Sequence, residues 1–193
     1  MSETTLPFYV GFSKVPGIGP SRLRALLDYY GDVQTAWHAD PGELRAMGLD
    51  RRSVENLYSV RQSLDLAAEL DQIKKLDVTV LTWESPDYPA ALKTIADPPA
   101  TLYVRGQLVS ADEWAVAVVG TRSATTYGKE CTRFLVRGLV GHGVTVISGL
   151  AYGIDTHAHK SALEGGGRTI AVLGCGVDVF YPVENRKLAE AII

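Results

Sequence analysis

The spacing of apolar residues predicts helices through most of residues 6–76. In "PSRLRALLDYYG" the apolar residues recur every three or four positions, and Ser21 is the expected N-cap. "DPGELRAMG" predicts a short helix that Asp40 caps. The apolar positions from Asp50 to about Leu76 predict one long amphipathic helix. The first part of the chain is therefore expected to be a small helical domain.

Strand-like patterns begin after this helical part. Apolar and β-branched runs predict strands at 78–83, 101–106, 114–119, 144–148 and 169–173. Helices are expected between the later strands, over about 126–141 and 153–164 and from about 184. Apolar strands that alternate with helices predict a parallel sheet. We expect an α/β chain with domains at 1–76 and 77–193, the second incomplete at its C-terminus because a doubly wound sheet normally has more strands.

Composition and charge narrow the classes of function. A hydrophobic content of 46% with 21% charged residues is typical of a folded globular protein. The net charge is −3 and neither domain has a basic excess, so nucleic acid could bind only at a local patch. Cys131 and Cys175 lack metal or redox spacing and are expected to be free thiols in a reducing compartment. Neither a signal peptide nor a membrane span is visible, so we expect a cytoplasmic protein with no membrane partner.

"VPGIG" at 15–19 precedes an amphipathic helix, as does the hairpin of a helix-hairpin-helix element. Its glycines permit a tight turn, and the next helix could offer N-terminal amides to a DNA phosphate beside Arg22 and Arg24. The alternative is a compact joint between two helices, as in SAM-like modules that bind proteins. The sequence leaves both alternatives open.

"GTRSATTYG" at 120–128 follows the first strand of the predicted parallel sheet, where α/β proteins bind ligands. Arg122 occupies the place of the second glycine of a dinucleotide fingerprint, where only a small residue lets the pyrophosphate approach. Its planar guanidinium can instead hold a phosphate with two hydrogen bonds, beside a helix N-terminus. The alternative is that Gly120 only ends the strand and Arg122 pairs with a nearby acid.

"SGLAYGIDTHAHKSAL" at 148–163 gives a second loop at a strand end. Ser148 and Gly149 are expected to form a backbone nest for an anion, and Lys160 adds positive charge inside the following helix. The two loops together therefore predict an anion site.

The histidines and the third loop offer other chemistry. Asp155 and His159 could share a helix face, but His157 points away from both, so we expect a structural role for the histidines and no metal site. In "GCGVDVFYPVEN" the polar candidates are Asp178, Tyr181 and Asn185. No motif places Cys175 against a histidine base, so no catalytic residue is expected.

Together these loops resemble the DprA family (DNA-processing protein A, also called Smf). Its three loop blocks are similar to "VVGTRSATTYG", "ISGLAYGIDTHAHKSAL" and "TIAVLGCGVDVFYPVEN". Its lead-in to the sheet resembles "SPDYPAALKTIADPPATLYVRG", and its N-terminal helical domain resembles "VPGIGPSRLRALL". The resemblance covers nearly the whole chain. Family members normally continue past the Tyr-Pro-x-x-Asn loop into further strands and often a winged-helix domain.

The resemblance implies a SAM-like helical domain followed by part of a Rossmann-like domain, used without a dinucleotide or any other cofactor. It implies single-stranded DNA binding during natural transformation and delivery of that DNA to the RecA recombinase. It also implies a homodimer, whose surface would lie beyond the matched segments. The residues expected at the DNA phosphates are Gly120, Thr121, Arg122, Ser148, Gly149 and Lys160. The candidates for base stacking are Tyr127, Tyr152 and Phe180.

Two other classes of protein are the alternatives. Rossmann-like phosphoribohydrolases cleave nucleotides at comparable loops, but that family has a Gly-Gly-x-Gly-Thr-x-x-Glu pattern that contains a catalytic glutamate. "EGGGRT" at 164–169 is only a superficial match to it, so we expect no enzyme activity. The remaining class is a nucleotide sensor or a protein-interaction module.

Overall fold

The helical pattern of the first part forms six helices in the computed structural model, which describes residues 4–193. They are α1 (Leu6–Ser13), α2 (Pro20–Tyr30), α3 (Val33–His38), α4 (Pro41–Ala46), α5 (Arg51–Ser63) and α6 (Leu66–Lys75). The large side chains at the centre of their shared core are Tyr9, Phe12, Leu26, Trp37 and Leu57.

Aspartate side chains fix where four of these helices begin. The carboxylates of Asp32, Asp40 and Asp50 each accept a hydrogen bond from a backbone amide in the first turn of α3, α4 and α5. Asp65 caps α6 in the same way, directly after the extended residue Leu64. Such a cap stabilises a helix by about 1 kcal/mol. The prediction of one long helix in this region is therefore wrong, because Asp65 starts a second one.

The start of α2 also differs from the prediction. Its N-cap is Gly19, and Pro20 occupies the first helical position, where the missing N–H of proline has no cost. Ser21 lies inside the first turn, and its hydroxyl donates to Asp97 Oδ1 at 2.9 Å. Ser21 is therefore not the N-cap.

The first two strands form a sheet of their own. Val80 packs with residues of α1 and α6, which groups these strands with the helices. The chain accordingly folds as two compact units, which divide between Val104 and Arg105. The predicted domain boundary near residue 76 stays a prediction. This antiparallel pair consists of β1 (Thr79–Thr82) and β2 (Thr101–Val104), with the short helix α7 (Ala90–Lys93) between them in the chain.

The second unit, Arg105–Ile193, contains the predicted parallel sheet. Its main elements are β3 (Ala115–Ala117), α8 (Thr126–Gly141), β4 (Thr145–Ser148), α9 (Ile154–Glu164), β5 (Thr169–Ala171) and α10 (Arg186–Ile192). Short 3₁₀ turns lie at Ser110–Glu113 and Val183–Asn185. The strand order is β3-β4-β5, and both pairs are parallel. The fold class is therefore confirmed, with strands somewhat shorter than predicted.

Parallel strands end at the same edge of a sheet, so the loops that follow them begin close together. These are the β3 loop (118–125), the β4 loop (149–153) and the β5 loop (172–182). Val136 of α8, Val146 of β4 and Ala158 of α9 form the apolar core that joins both helices to the sheet. None of the helices between residues 4 and 193 combines the length and the hydrophobicity that crossing a bilayer requires.

Candidate functional site

Arg122 lies in the β3 loop with its side chain exposed. Its guanidinium makes neither a hydrogen bond nor an ion pair with any other residue between 4 and 193. The turn around it is closed locally, because Thr121 Oγ1 accepts the amide of Ser123 at 3.1 Å. Within the described residues, Arg122 is therefore not the partner of a nearby acid and has all its donors available.

The start of α8 lies directly after this loop. Thr125 Oγ1 accepts the amide of Gly128 at 3.1 Å and caps the helix. The two preceding amides, of Thr126 and Tyr127, make no hydrogen bond within the described residues. Unpaired amides at a helix N-terminus favour an anion. The β3 loop therefore combines an unpaired arginine with unpaired backbone donors.

The polar groups of Ser148 and Gly149 are used inside the protein. Ser148 is buried, and its Oγ donates to the carbonyl of Val118 at 2.6 Å. The amide of Gly149 donates to Asp155 Oδ2 at 3.2 Å. Both hydrogen bonds hold the β4 loop in place, and a phosphate-binding role for the two residues stays a prediction. The amides of residues 150–153 make no hydrogen bond within the described residues, so they are the donors that this loop can offer.

The β3 and β4 loops are in direct contact. The amide of Ile154 donates to the carbonyl of Thr121 at 3.1 Å. Gly153 has φ of +77°, and a Cβ at this position would lie only 2.1 Å from the Thr121 oxygen and 2.6 Å from the Arg122 oxygen. Gly120 is similarly close to the Ile154 side chain, at 2.7 Å from an added Cβ. Only glycine permits this approach, which fixes the Arg122 segment against the start of α9.

The third strand end contributes a buried amide that sequence reasoning named only as a polar candidate. Asn185 follows the β5 loop and is 6% exposed. Its Nδ2 donates to the carbonyl of Leu150 at 2.9 Å and to Thr156 Oγ1 at 2.7 Å. The hydroxyl of Thr156 in turn donates to the carbonyl of Ala151 at 2.6 Å. Asn185 therefore connects the third loop region to the β4 loop.

The three predicted stacking residues differ in how open their rings are. Tyr127 is 80% exposed, and Tyr152 is 42% exposed with its hydroxyl donating to Glu184. That hydrogen bond raises the pKa of Tyr152. Phe180 is half-buried, and the guanidinium carbon of Arg186 lies 5.1 Å from its ring centre. One face of Phe180 is thus covered by a cation, and stacking at all three rings stays a prediction.

Lys160 lies in the second turn of α9 and is exposed. It makes no ion pair within the described residues. Burial lowers the pKa of His157, and the charges of Lys129, Lys160 and Arg133 lower it further. Lys160 therefore shares its surroundings with basic residues of α8, and contact with a phosphate stays a prediction.

His159 has a structural position at the middle of the second unit. It is fully buried, with Nδ1 2.7 Å from Thr169 Oγ1. The Thr169 hydroxyl donates to the carbonyl of Val146, so the histidine Nδ1–H is the donor of the first bond. Burial lowers the pKa of His159 to about 4, although nearby Asp155 acts in the opposite direction. Between residues 4 and 193, no three or more His, Cys, Asp and Glu side chains are arranged to hold a metal.

The hairpin of the first unit is braced by its own polar groups. Arg22 Nη1 donates to the carbonyl of Gly17 and to Ser53 Oγ, both at 2.6 Å. The same nitrogen lies 2.7 Å from Asp50 Oδ2, which neutralises its charge. These interactions favour the joint between helices over the DNA-binding alternative for "VPGIG".

The sheet order, the glycine loops at the strand ends and the helices that begin there define a Rossmann-like domain. Arg122 in place of the close-approach glycine distinguishes it from the domains that bind dinucleotides. The chain belongs to the family of DNA recombination-mediator protein A, whose model matches residues 79–193. The resemblance to DprA and Smf proteins is confirmed.

Individual relatives support the same assignment. The chain is 37% identical over 199 residues to Protein Smf of Synechocystis sp., covering 100% of this chain and 50% of that protein. It is 44% identical over 105 residues to DNA processing protein DprA of Streptococcus pneumoniae, covering 54% of this chain and 37% of that protein. The chain thus spans about half the length of the curated relatives it matches.

Two solved structures share the fold. The X-ray structure of DprA from Streptococcus pneumoniae has a TM-score of 0.77 and 30% identity, covering 96% of this chain and 64% of that chain. The second, which concerns the single-stranded DNA binding mode of DNA processing protein A from Helicobacter pylori, has a TM-score of 0.52 and 33% identity. It covers 60% of this chain and 51% of that chain.

Proposed function

We propose that the second unit binds single-stranded DNA by gripping a backbone phosphate between the β3 and β4 loops, with Arg122 as the central contact. The observation that carries this proposal is the unpaired guanidinium of Arg122 on a segment fixed against Gly153 and Ile154. A planar guanidinium held in place can form two charge-assisted hydrogen bonds to one phosphate. The neighbouring amides at the start of α8 add donors of the same kind.

The biological context of the proposal comes from the family. Its description as a recombination mediator and the DNA-binding relative from Helicobacter pylori support a role in processing DNA. We further propose that the complete protein delivers its DNA to the RecA recombinase during natural transformation and acts as a homodimer. A cytoplasmic location stays a prediction.

The first experiment replaces Arg122 and measures binding of fluorescent oligo-dT by anisotropy. Arg122→Ala removes a charge-assisted hydrogen-bonding group, so we expect a loss of about 1–3 kcal/mol, or roughly 5- to 150-fold in Kd. In a plot of the logarithm of the binding constant against the logarithm of the salt concentration, the magnitude of the slope should also fall by about 0.7, the value expected when one phosphate is no longer neutralised. The matched control is Arg137→Ala, because Arg137 is also exposed and unpaired within the described residues but lies in the second half of α8.

Equal affinities for the Arg122 and Arg137 variants would remove Arg122 from the site. Failure of the unchanged chain to bind oligo-dT at low salt would contradict the proposed function as a whole.

We propose that the site is not catalytic. The two carboxylates beside the β4 loop are both engaged, Asp155 with the Gly149 amide and Glu184 with the Tyr152 hydroxyl. After incubation with nucleoside monophosphates, chromatography should therefore detect no free base. An Arg122-dependent product would support the phosphoribohydrolase alternative. Tight binding of mononucleotides that competes with oligo-dT would favour the nucleotide sensor.

A further inference from the structure

The Asn185 side chain makes structural hydrogen bonds that its position in the sequence does not predict. Its side chain is buried, and both protons of its amide group are donated, one to Leu150 and one to Thr156. A primary amide has two protons, so none remains for a ligand. Because Asn185 is only 6% exposed and has no amide proton left to donate to a phosphate, a direct contact with DNA does not explain its position.

The acceptor that Asn185 holds is an unusual residue. Leu150 is 2% exposed and has φ of +58°, in the left-handed region that a residue other than glycine rarely adopts. Such a conformation persists only when its surroundings fix it. The hydrogen bond from Asn185 to the Leu150 carbonyl helps to do so, and the Thr156 hydroxyl fixes the next carbonyl, of Ala151.

The β4 loop in turn fixes the Arg122 segment. It ends at Gly153, whose backbone lies against the carbonyls of Thr121 and Arg122, and the next amide, of Ile154, donates to Thr121. A shift of the β4 loop would therefore move the backbone of Arg122, although Asn185 does not contact Arg122 itself.

We propose that Asn185 is a positioning residue for the DNA site, which fixes the β4 loop through Leu150 and Thr156 and thereby holds the segment that carries Arg122. This inference rests on the proposed function, since it concerns the same site. Asn185 would thus affect DNA affinity by fixing the position of other residues and would not contact the DNA itself.

The test compares Asn185→Ala with Leu188→Ala in the full 193-residue chain. Leu188 is a buried residue of the adjoining helix, α10, and makes none of the hydrogen bonds to the β4 loop that Asn185 makes, so it controls for general destabilisation. At a temperature where circular dichroism shows both variants folded, Asn185→Ala should weaken oligo-dT binding by about 5- to 20-fold. Leu188→Ala should bind like the unchanged chain. Thr156→Val, which keeps the shape and removes the hydroxyl, should give a smaller loss and replaces Asn185→Ala if that variant does not fold.

Two further readouts separate positioning from stability. In an Arg122→Ala background, Asn185→Ala should cause a smaller loss than in the unchanged chain, because the side chain that it positions is already absent and only the amides of the β4 loop remain to be displaced. Asn185→Asp places a carboxylate against the Leu150 carbonyl, and burial raises its pKa. As the pH is lowered and the carboxyl group becomes protonated, it can donate one hydrogen bond again, so the affinity of the variant relative to the unchanged chain should partly recover. Asn185→Ala should show no such recovery.

The possible failures are distinguishable. If Arg122→Ala leaves affinity unchanged, the proposed function fails and the inference fails with it. If Arg122→Ala weakens binding but folded Asn185→Ala binds normally, only the inference is overturned. The inference is also overturned if Asn185→Ala costs the same factor with and without Arg122, or if Leu188→Ala weakens binding equally.

Discussion

Replacement of Gly153 by alanine tests how firmly the Arg122 segment is held. The residue has φ of +77° and ψ of −125°, a combination that is almost exclusive to glycine, so alanine would cost about 1–3 kcal/mol in backbone strain. The new methyl group would also lie 2.1 Å from the Thr121 oxygen, whereas real Cβ atoms stay beyond 3.0 Å from such neighbours. The loop and the helix start must therefore separate by about 1 Å, which close-packed interiors resist.

Together the strain and the clash should lower the free energy of unfolding of the second unit by about 2–4 kcal/mol. Urea unfolding followed by circular dichroism measures this loss. Because the displaced carbonyls belong to Thr121 and Arg122, oligo-dT binding by the folded fraction should weaken by about tenfold, which anisotropy measures.

The chain offers a matched control for this variant. Gly166 also has a positive φ, of +70°, but an added Cβ there meets no atom within 4 Å. Gly166→Ala should therefore lower the free energy of unfolding only by the backbone strain, and it should leave DNA binding unchanged. If the two variants are equally destabilised and both bind DNA normally, the reasoning about contact between the loops is refuted.

Two other predictions concern single side chains. Burial alone would raise the pKa of Asp112, but hydrogen bonds from Arg168 and other donors hold it below its usual value. A carboxyl group whose pKa is lowered by folding stabilises the folded state at pH values above its unfolded-state pKa of about 4, and this stabilisation is lost as the pH falls through the folded-state pKa. In urea unfolding, the free energy of unfolding of Asp112→Asn should therefore decrease less at acid pH than that of the unchanged chain. If Tyr152 stacks on a base, Tyr152→Ala should weaken oligo-dT binding by about 1–3 kcal/mol and Tyr152→Phe by much less, and equal losses in anisotropy would assign the effect to the hydroxyl and its hydrogen bond to Glu184.

The sequence predicts the elements well where burial alone decides them. The bounds of α8 agree with the predicted helix of about 126–141, and the apolar residues on its buried face, Val136, Leu139 and Val140, pack in the core with Val146 of the sheet. The break at Leu64 is different, since the amphipathic pattern continues through it and only the capping by Asp65 ends one helix and starts another. The separate pairing of β1 with β2 is accompanied by packing of Val80 against Val10 of α1, which lies far earlier in the chain and is not part of any local pattern.

The site divides in the same way. The place of Arg122 follows from its motif at the end of a strand, which topology brings to the edge of the sheet. The inward hydrogen bonds of Ser148 and Gly149 could not be predicted, because their side-chain and amide directions are set by Val118 and Asp155. The reach of Asn185 to Leu150, 35 residues earlier in the chain, is visible only in the folded structure.

In a chain with a net negative charge, phosphate binding must depend on where individual cations lie, because their number gives no excess of positive charge. Three arginines of the second unit are paired with acids, in the bridges Arg133–Glu130, Arg168–Asp112 and Arg186–Glu190. Arg122 and Lys160 are among the cations without an acidic partner in the described residues. With a net charge of −3, long-range attraction contributes little to binding, so affinity must come from short interactions of fixed geometry. A group that depends on fixed geometry is sensitive to the residues that position it, which is why Gly153 and Asn185 should affect DNA binding through the Arg122 segment that they hold in place.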